Sequence, residues 1–299
     1  MSIERILSIV GMRHWDELKR SWMAHMSGLP SSVAAPDPGL ERLGPLQEAT
    51  LKDRISTPDI GGLRGNALAE AIYLYHKAAH AQLAVARLST AGMTAWAMFN
   101  AYHSAFLNAK AVMALLGVVF PKVNGKDYLI DIFPVPDKRR SNRQFKMKAD
   151  YADFVAVGIP RLDQRYVWQA LKRCCSNTMG AWPDVTVVDR IKEIEWERVT
   201  PPRNKFLYSP PFWPAVDDLT RDLVDLEWDD LIEAGLDPDS TGFLLTLSLD
   251  MFEISRWLFG DLAKDSNLFA SQIEGVRWPL ADVAGGWGAF AAYQRRAAA

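Results

Sequence analysis

The 299-residue sequence has only two cysteines, and they are neighbours, Cys174 and Cys175. Adjacent cysteines rarely form a disulfide with each other, because the required geometry strains the peptide between them. The sequence therefore has no disulfide framework, which favours a reducing compartment. The opening residues also lack the basic region, apolar run and cleavage site of a signal peptide. We expect a cytoplasmic protein.

Long apolar runs and a strong charge imbalance are absent too. The longest apolar run, residues 111–120, is about half the length that spans a bilayer, so membrane insertion is not expected. The formal net charge of −2 excludes a polycation that coats nucleic acid over its whole surface. Apolar residues make up 49% of the chain and charged residues 23%, a balance that allows an ordinary packed core.

Several motifs of catalysis and ligand binding are missing. We find no phosphate-binding glycine loop of the Walker or dinucleotide type, no Gly-x-Ser-x-Gly elbow and no His-Glu-x-x-His. The adjacent cysteines have no histidine near them in the sequence, so a nucleophilic cysteine is not expected.

Two consecutive stretches have a strong helical periodicity. Apolar residues recur at intervals of three and four over about residues 66–88 and 94–117, as on the buried face of an amphipathic helix. Asn66 and Thr94 are suitable cap residues, and Gly117 stands where a helix typically ends. The second stretch also has alanines at four-residue spacing, which would let two helix axes come close. The short turn between the stretches predicts an antiparallel pair of long helices.

The rest of the sequence indicates further elements around this pair. Helices are predicted at residues 163–179, 184–198 and 215–226, and a long apolar helix at 241–263. Strand-like patterns predict a small β-hairpin insert near 127–148, or a long loop in its place. We therefore predict a mainly α protein, a helical bundle with N-terminal helices and an extended connection over 1–65, a helical domain over 66–264 with an insert at 118–155, and a C-terminal tail over 265–299.

The densest positive patch lies in this insert. Residues 138–148 contain six basic residues together with Phe145. The basic residues are Lys138, Arg139, Arg140, Arg143, Lys146 and Lys148. Basic side chains with an aromatic among them can contact the phosphates and bases of RNA. The alternative is a charged hairpin tip that keeps the protein in solution.

Three histidines are placed near one another by the predicted helices. His76 and His80 share one face of the first long helix, and His103 lies on the next helix. Such a set could hold zinc or iron, but neither helix has a Glu-x-x-His pair or a carboxylate at ligand spacing. We interpret the histidines as packing or hydrogen-bonding residues and expect no metal.

A short polar motif follows the predicted helices of the middle region. Thr200 and Pro201 suit the start of a helix, which would place Arg203 and Asn204 near its N-terminus and Tyr208 slightly more than one turn further on. An arginine and a polar side chain at a helix N-terminus can form an anion pocket. The alternative is an arginine–tyrosine pair that fixes a loop.

The aromatic- and alanine-rich helix that ends at Gly117, together with Arg203, Asn204 and Tyr208, resembles the HEPN superfamily of helical bundles. The resemblance implies a homodimer that cleaves RNA without a metal or other cofactor, by attack of the 2′-hydroxyl on the adjacent phosphate. It implies that Arg203 stabilises the charge of the transition state and that Asn204 orients the phosphate or the hydroxyl. Tyr208 stands where the family's ribonucleases have histidine. A tyrosine, with an ordinary pKa of about 10, would act there as an acid or a binding group rather than as a base.

Two hypotheses follow for the function. The first is a HEPN-like RNA-binding protein or metal-independent endoribonuclease, by analogy part of a bacterial toxin–antitoxin or phage-defence system, with RNA, a second copy or an antitoxin as partner. The alternative is a non-catalytic helical module for protein–protein interaction, which would use the eleven tryptophans and the acidic segment 217–239.

Overall fold

The protein is mainly helical with a small antiparallel sheet, as the sequence predicts at this level. The computed structural model describes residues 3–26, 54–57, 63–91, 93–123, 125–134, 154–182, 185–196, 199 and 242–274. Among the helices in these ranges, none is long and apolar enough to cross a membrane.

The helices include the two long consecutive ones that the periodicity predicts. They are α1 (Ile3–Leu7), α2 (Trp15–Met23), α3 (Leu63–Thr90), α4 (Thr94–Leu115), α5 (Gln164–Asn177), α6 (Val185–Glu193) and α7 (Phe243–Lys264), and residues 267–274 are also helical. Helix α3 begins before Asn66, so Asn66 is not its cap. Helix α4 ends next to Gly117, which adopts a positive φ of 84° and donates its N–H to the Ala114 carbonyl. This left-handed conformation is the one that favours glycine after a helix.

The small side chains of α4 lie in the centre of the core. Ala97, Ala101, Ala105 and Ala109 are all at most 1% exposed, and α4 packs against both α3 and α7. The Ser104 hydroxyl donates a hydrogen bond of 3.1 Å to a backbone carbonyl of α3. Every residue of the first ten in α7 is buried, so the first part of this helix is enclosed on all sides, whereas its second part has an exposed face that includes Arg256.

Seven short strands accompany the helices in the described residues. They are β1 (Arg13–His14), β2 (Arg54–Thr57), β3 (Val118–Val119), β4 (Lys122–Val123), β5 (Lys126–Asp131), β6 (Phe154–Ile159) and β7 (Thr178–Met179). The main sheet has the order β2-β6-β5-β3, β4 also pairs with β5, and all these pairs are antiparallel. Strands β1 and β7 form a separate parallel pair.

This sheet is more extensive than the hairpin that the sequence predicts near 127–148. The first predicted strand is present as β5, but its described partners are β3, β4 and β6. Residues 144–148, the predicted second strand, lie outside the described residues. All six residues of β6 are buried, which explains why this apolar run takes the central position. Strand β2 comes from the segment that was expected to be only an extended connection.

Two predicted helices end earlier than expected. Helix α5 stops at Asn177, because the next two residues form β7, and α6 stops at Glu193. The helix predicted at 215–226 lies outside the described residues.

Helix α2 is fixed to the end of α7 by a polar cluster around Asp261. The Trp15 indole N–H and the Lys19 ammonium donate to Asp261 Oδ2 at 2.9 and 3.0 Å, and Lys264 donates to Oδ1 at 3.2 Å. Burial alone would raise the pKa of this carboxyl, but the three hydrogen bonds outweigh it and lower the pKa below the ordinary value. The ionised carboxylate therefore contributes to holding α2 in place.

Candidate functional site

The residues that the sequence analysis assigns to RNA lie outside the described residues. This applies to Arg203, Asn204 and Tyr208, and equally to the six basic residues of segment 138–148. Their roles stay predictions. The described residues contain three other groups with potential chemistry, namely the histidines, the cysteines and the lining of one pocket.

The three histidines each have their own surroundings. His76 Nε2 lies 2.8 Å from the Gln272 carbonyl oxygen, and His80 is exposed. The His103 ring packs edge-on against Phe99, with 4.3 Å between the ring centroids. Within the ranges that the structure covers, no group of three or more His, Cys, Asp or Glu side chains could hold a metal ion. His76 and His103 thus have hydrogen-bonding and packing contacts of their own.

The two cysteines are buried in the core side of α5. Both are 1% exposed. Burial raises the pKa of Cys174 to about 12, and it raises the pKa of Cys175 as well. A thiol nucleophile needs accessible thiolate, which neither residue provides.

A pocket of about 780 Å³ lies where α4, the loop after β6 and the start of α5 meet. This volume is typical of sites for small organic ligands. Among the described residues it is lined by Phe106, Lys110, Arg161, Leu162, Asp163, Gln164, Arg165, Val167 and Trp196. Three of these side chains are cationic and one is anionic.

The loop between β6 and α5 brings two arginines to the pocket. The Leu162 N–H donates to the Asp127 carboxylate of β5 at 2.9 Å, which ties the loop to the sheet. Asp163 then caps α5, because its Oδ1 accepts the N–H of the residue three positions later at 3.0 Å. Arg161 and Arg165 stand on either side of this cap. The helix thus begins with its cap carboxylate engaged and with two guanidinium groups beside it.

The cations of the pocket are only weakly neutralised by the protein. The Arg165 guanidinium is 3.9 Å from the Asp163 carboxylate and its side chain is 56% exposed. Arg161 is exposed and has neither an ion pair nor a hydrogen bond in the described part of the chain. Lys110 Nζ is 4.0 Å from the Glu70 carboxylate of α3, and burial raises the pKa of Glu70 although Lys110 opposes the shift. An anionic ligand would find unsatisfied positive charge here.

Aromatic rings form the other part of the lining. Phe106 is half-buried, and Trp196 is 2% exposed and stacks on Trp168 with 4.8 Å between centroids and planes 3° apart. Among the residues that the structure describes, the buried indole N–H groups of Trp196 and Trp168 have no hydrogen-bond partner. A buried donor without a partner is costly.

These groups support binding rather than bond cleavage at the pocket itself. Its single carboxylate, Asp163, is engaged as a helix cap, and the lining contains no histidine, cysteine or serine in the described residues. Comparison with protein-family models, with curated proteins and with solved structures finds no match to this chain. Function has to be argued from the chemistry of the site.

Proposed function

We propose that this protein binds single-stranded RNA and that the pocket between α4 and α5 holds one nucleotide of the strand. The observation that carries the proposal is the joint presence of three cations and two aromatic rings in one cavity. Proteins that bind single strands combine positive charge along the backbone with aromatic rings on which bases stack. Unpaired nucleotides of RNA are recognised in the same manner.

Each group of the lining has a role in this proposal. Lys110, Arg161 and Arg165 contact phosphate oxygens, and the half-buried ring of Phe106 contacts the base, with the buried Trp196 behind it. The basic segment 138–148 adds contacts to other nucleotides of the strand. A net-negative protein can bind RNA in this way because the positive charge is local.

Fluorescence anisotropy with a labelled RNA heptamer, in EDTA and over a range of salt concentrations, tests the binding. For single strands, each lost phosphate contact lowers the slope of log affinity against log salt by about 0.7. Arg161→Ala should show that decrease together with weaker binding, and Phe106→Leu should weaken binding without changing the slope.

The matched control is Arg256→Ala. This arginine is half-exposed on α7, pairs with Glu253 and does not line the pocket. It should bind RNA like the unchanged protein. Equal affinity of Arg161→Ala, Phe106→Leu and the control would mean that the pocket is not where RNA binds.

The resemblance to HEPN ribonucleases extends the proposal to cleavage. In this form the protein is a homodimer framed by α3 and α4 as an antiparallel pair, and Arg203, Asn204 and Tyr208 cleave RNA without metal. The expected product is an RNA with a cyclic phosphate end, formed in EDTA. Arg203→Ala should abolish that product and leave binding at the pocket intact. If Arg203→Ala cleaves at the original rate, the assignment of Arg203 is wrong.

The alternative of a protein-interaction module is favoured by one surface. Met12 and Met179 are 54% and 50% exposed; Met179 belongs to β7, and Met12 adjoins its paired strand β1. Exposed apolar groups that lie together are typical of protein contacts. Light scattering tests the surface: Met179→Glu should lower the molar mass of any assembly and leave RNA affinity unchanged. An unchanged mass would exclude this surface as the contact between copies.

A further inference from the structure

We infer that the pocket recognises a terminal phosphomonoester of a nucleotide, at the end of an RNA strand or on a free mononucleotide, in preference to an internal phosphodiester. The inference rests on the proposed function, since it names the phosphate that the same pocket takes. Three features of the lining support it: its net charge, its three cationic donors and its size.

The charge of the lining exceeds what an internal phosphate needs. Lys110, Arg161 and Arg165 face one carboxylate, that of Asp163, which leaves an excess of two positive charges. A phosphodiester carries one negative charge, whereas a phosphomonoester carries about 1.5 to 2 at neutral pH. Glu70 reduces the effect of Lys110, but it does not line the pocket and its carboxylate is at the limit of ion-pair distance, 4.0 Å. The two arginines have no comparable partner beyond Asp163.

The number of cationic donors adds a reason independent of net charge. A phosphomonoester has three terminal oxygens that accept hydrogen bonds. Each of them can pair with one of the three cations of the lining, Lys110, Arg161 and Arg165. An internal phosphodiester has only two non-bridging oxygens and leaves fewer acceptors for the same donors.

The cap of α5 and the size of the pocket define where the phosphate can lie. Asp163 accepts the N–H of Tyr166 at 3.0 Å, so the phosphate is bound by the three cations and not by this end of the helix. The volume of about 780 Å³ suits one ligand of nucleotide size and its hydration rather than a long stretch of strand.

The test compares RNA heptamers of one sequence that differ only at an end. One has a 5′-phosphate, one a 3′-phosphate, one has hydroxyls at both ends, and one has its 5′-phosphate blocked as a methyl ester, which keeps the phosphate but removes its second charge. Adenosine monophosphate serves as the free nucleotide. One of the two phosphorylated RNAs should bind about tenfold tighter than the hydroxyl form, a gain within the range of charge-assisted hydrogen bonds. The end that gains shows which terminus the pocket takes.

Variants connect the preference to the pocket. Arg165→Ala, on a half-exposed side chain, should reduce the tenfold preference to less than threefold. Arg256→Ala should keep the full preference. If both phosphorylated RNAs bind no better than the hydroxyl form, or if the methyl ester binds as tightly as the free 5′-phosphate in a protein that prefers the 5′ end, the inference is wrong.

These outcomes separate the inference from the proposed function. Equal binding of all the RNAs, weakened by Arg161→Ala, would leave RNA binding standing and remove the preference for an end. Binding of adenosine monophosphate without binding of any heptamer would support the pocket as a phosphomonoester site and overturn RNA binding. Absence of both kinds of binding would overturn both.

Discussion

The buried ion pair between Arg13 and Asp131 gives the sharpest test of what holds this fold together. Arg13 Nη2 is 2.6 Å from Asp131 Oδ2, Nη1 is 3.1 Å from Oδ1, and neither side chain is more than 3% exposed. Arg13 Nη1 also donates to the Leu116 carbonyl at 2.8 Å, and the Phe133 N–H donates to Asp131 Oδ1 at 3.1 Å. The guanidinium therefore joins the N-terminal segment to the end of α4 and to β5.

Replacing only the arginine should be far more damaging than neutralising both partners. Arg13→Met would leave the Asp131 carboxylate buried without a counter-charge, which costs about 3–5 kcal/mol of unfolding free energy. That is a large part of the total stability of a typical domain, about 5–15 kcal/mol. The double variant Arg13→Met with Asp131→Asn removes both charges and keeps an acceptor for the Phe133 N–H. It should recover most of the loss.

Urea unfolding followed by circular dichroism measures both free energies. Arg256→Met is the control, since its exposed pair with Glu253 should contribute less than about 1 kcal/mol. A loss below about 1 kcal/mol for Arg13→Met would contradict the reasoning, because an unpaired buried charge should cost several times more. A double variant as unstable as the single one would show that the stranded charge is not the cause.

Three further predictions follow from single contacts. Cys174 and Cys175 should react with a thiol reagent no faster than the protein unfolds, because burial raises the pKa of Cys174 to about 12. Rapid labelling of the folded protein would contradict this prediction. For Asp261, burial alone would raise the pKa, but the hydrogen bonds that it accepts lower it overall. Because its pKa is lowered, the ionised carboxylate stabilises the fold at pH values above the ordinary pKa of 3.8. This stabilisation is lost as the pH falls through the lower pKa of the folded state. Asp261→Asn should therefore lower the melting temperature at neutral pH and weaken its decrease in acid, and an unchanged acid profile would exclude this role. Gly117→Ala should lower the unfolding free energy by about 1–2 kcal/mol in urea titrations, because alanine is strained at a positive φ. Its Cβ would also lie 3.0 Å from Arg13 Nη1. A substitution without effect on the unfolding free energy would show that the backbone turns differently at this position.

The elements that the sequence predicts well are those decided by local pattern. Helices α3 and α4 have apolar residues at spacings of three and four, α7 is a long apolar stretch, and Gly117 marks the end of α4 by its own conformational freedom. The sheet depends on distant pairing instead. Strand β2 pairs with β6, about a hundred residues further along the chain, and neither a turn residue nor a short spacing indicates that partnership.

The pocket is also difficult to predict from the sequence, because its lining residues come from separate elements of the chain. Phe106 belongs to an apolar stripe and suggests only core packing, and Trp196 comes from a separate element after α6. Lys110 appears as an isolated charge on α4. The one local signal is the short segment around Asp163, a helix cap with Arg161 and Arg165 beside it. An anion-binding interpretation of that cap was available from the sequence, but the aromatic lining requires the folded chain.

The sheet separates the loop that lines the pocket from the point at which the chain leaves towards the basic segment 138–148. Asp127 pairs with Ile159 at one end of β5 and β6, and the Asp127 carboxylate holds the pocket loop. The chain leaves the sheet after Asp131, at the other end, and segment 138–148 belongs to the connection that returns as β6. Four residue steps of about 3.4 Å place these two ends about 14 Å apart. Basic side chains that remain near the second end would contact nucleotides other than the one in the pocket. The pocket alone would then determine the affinity for a mononucleotide, while an RNA strand would gain from both sets of charges through simultaneous contacts.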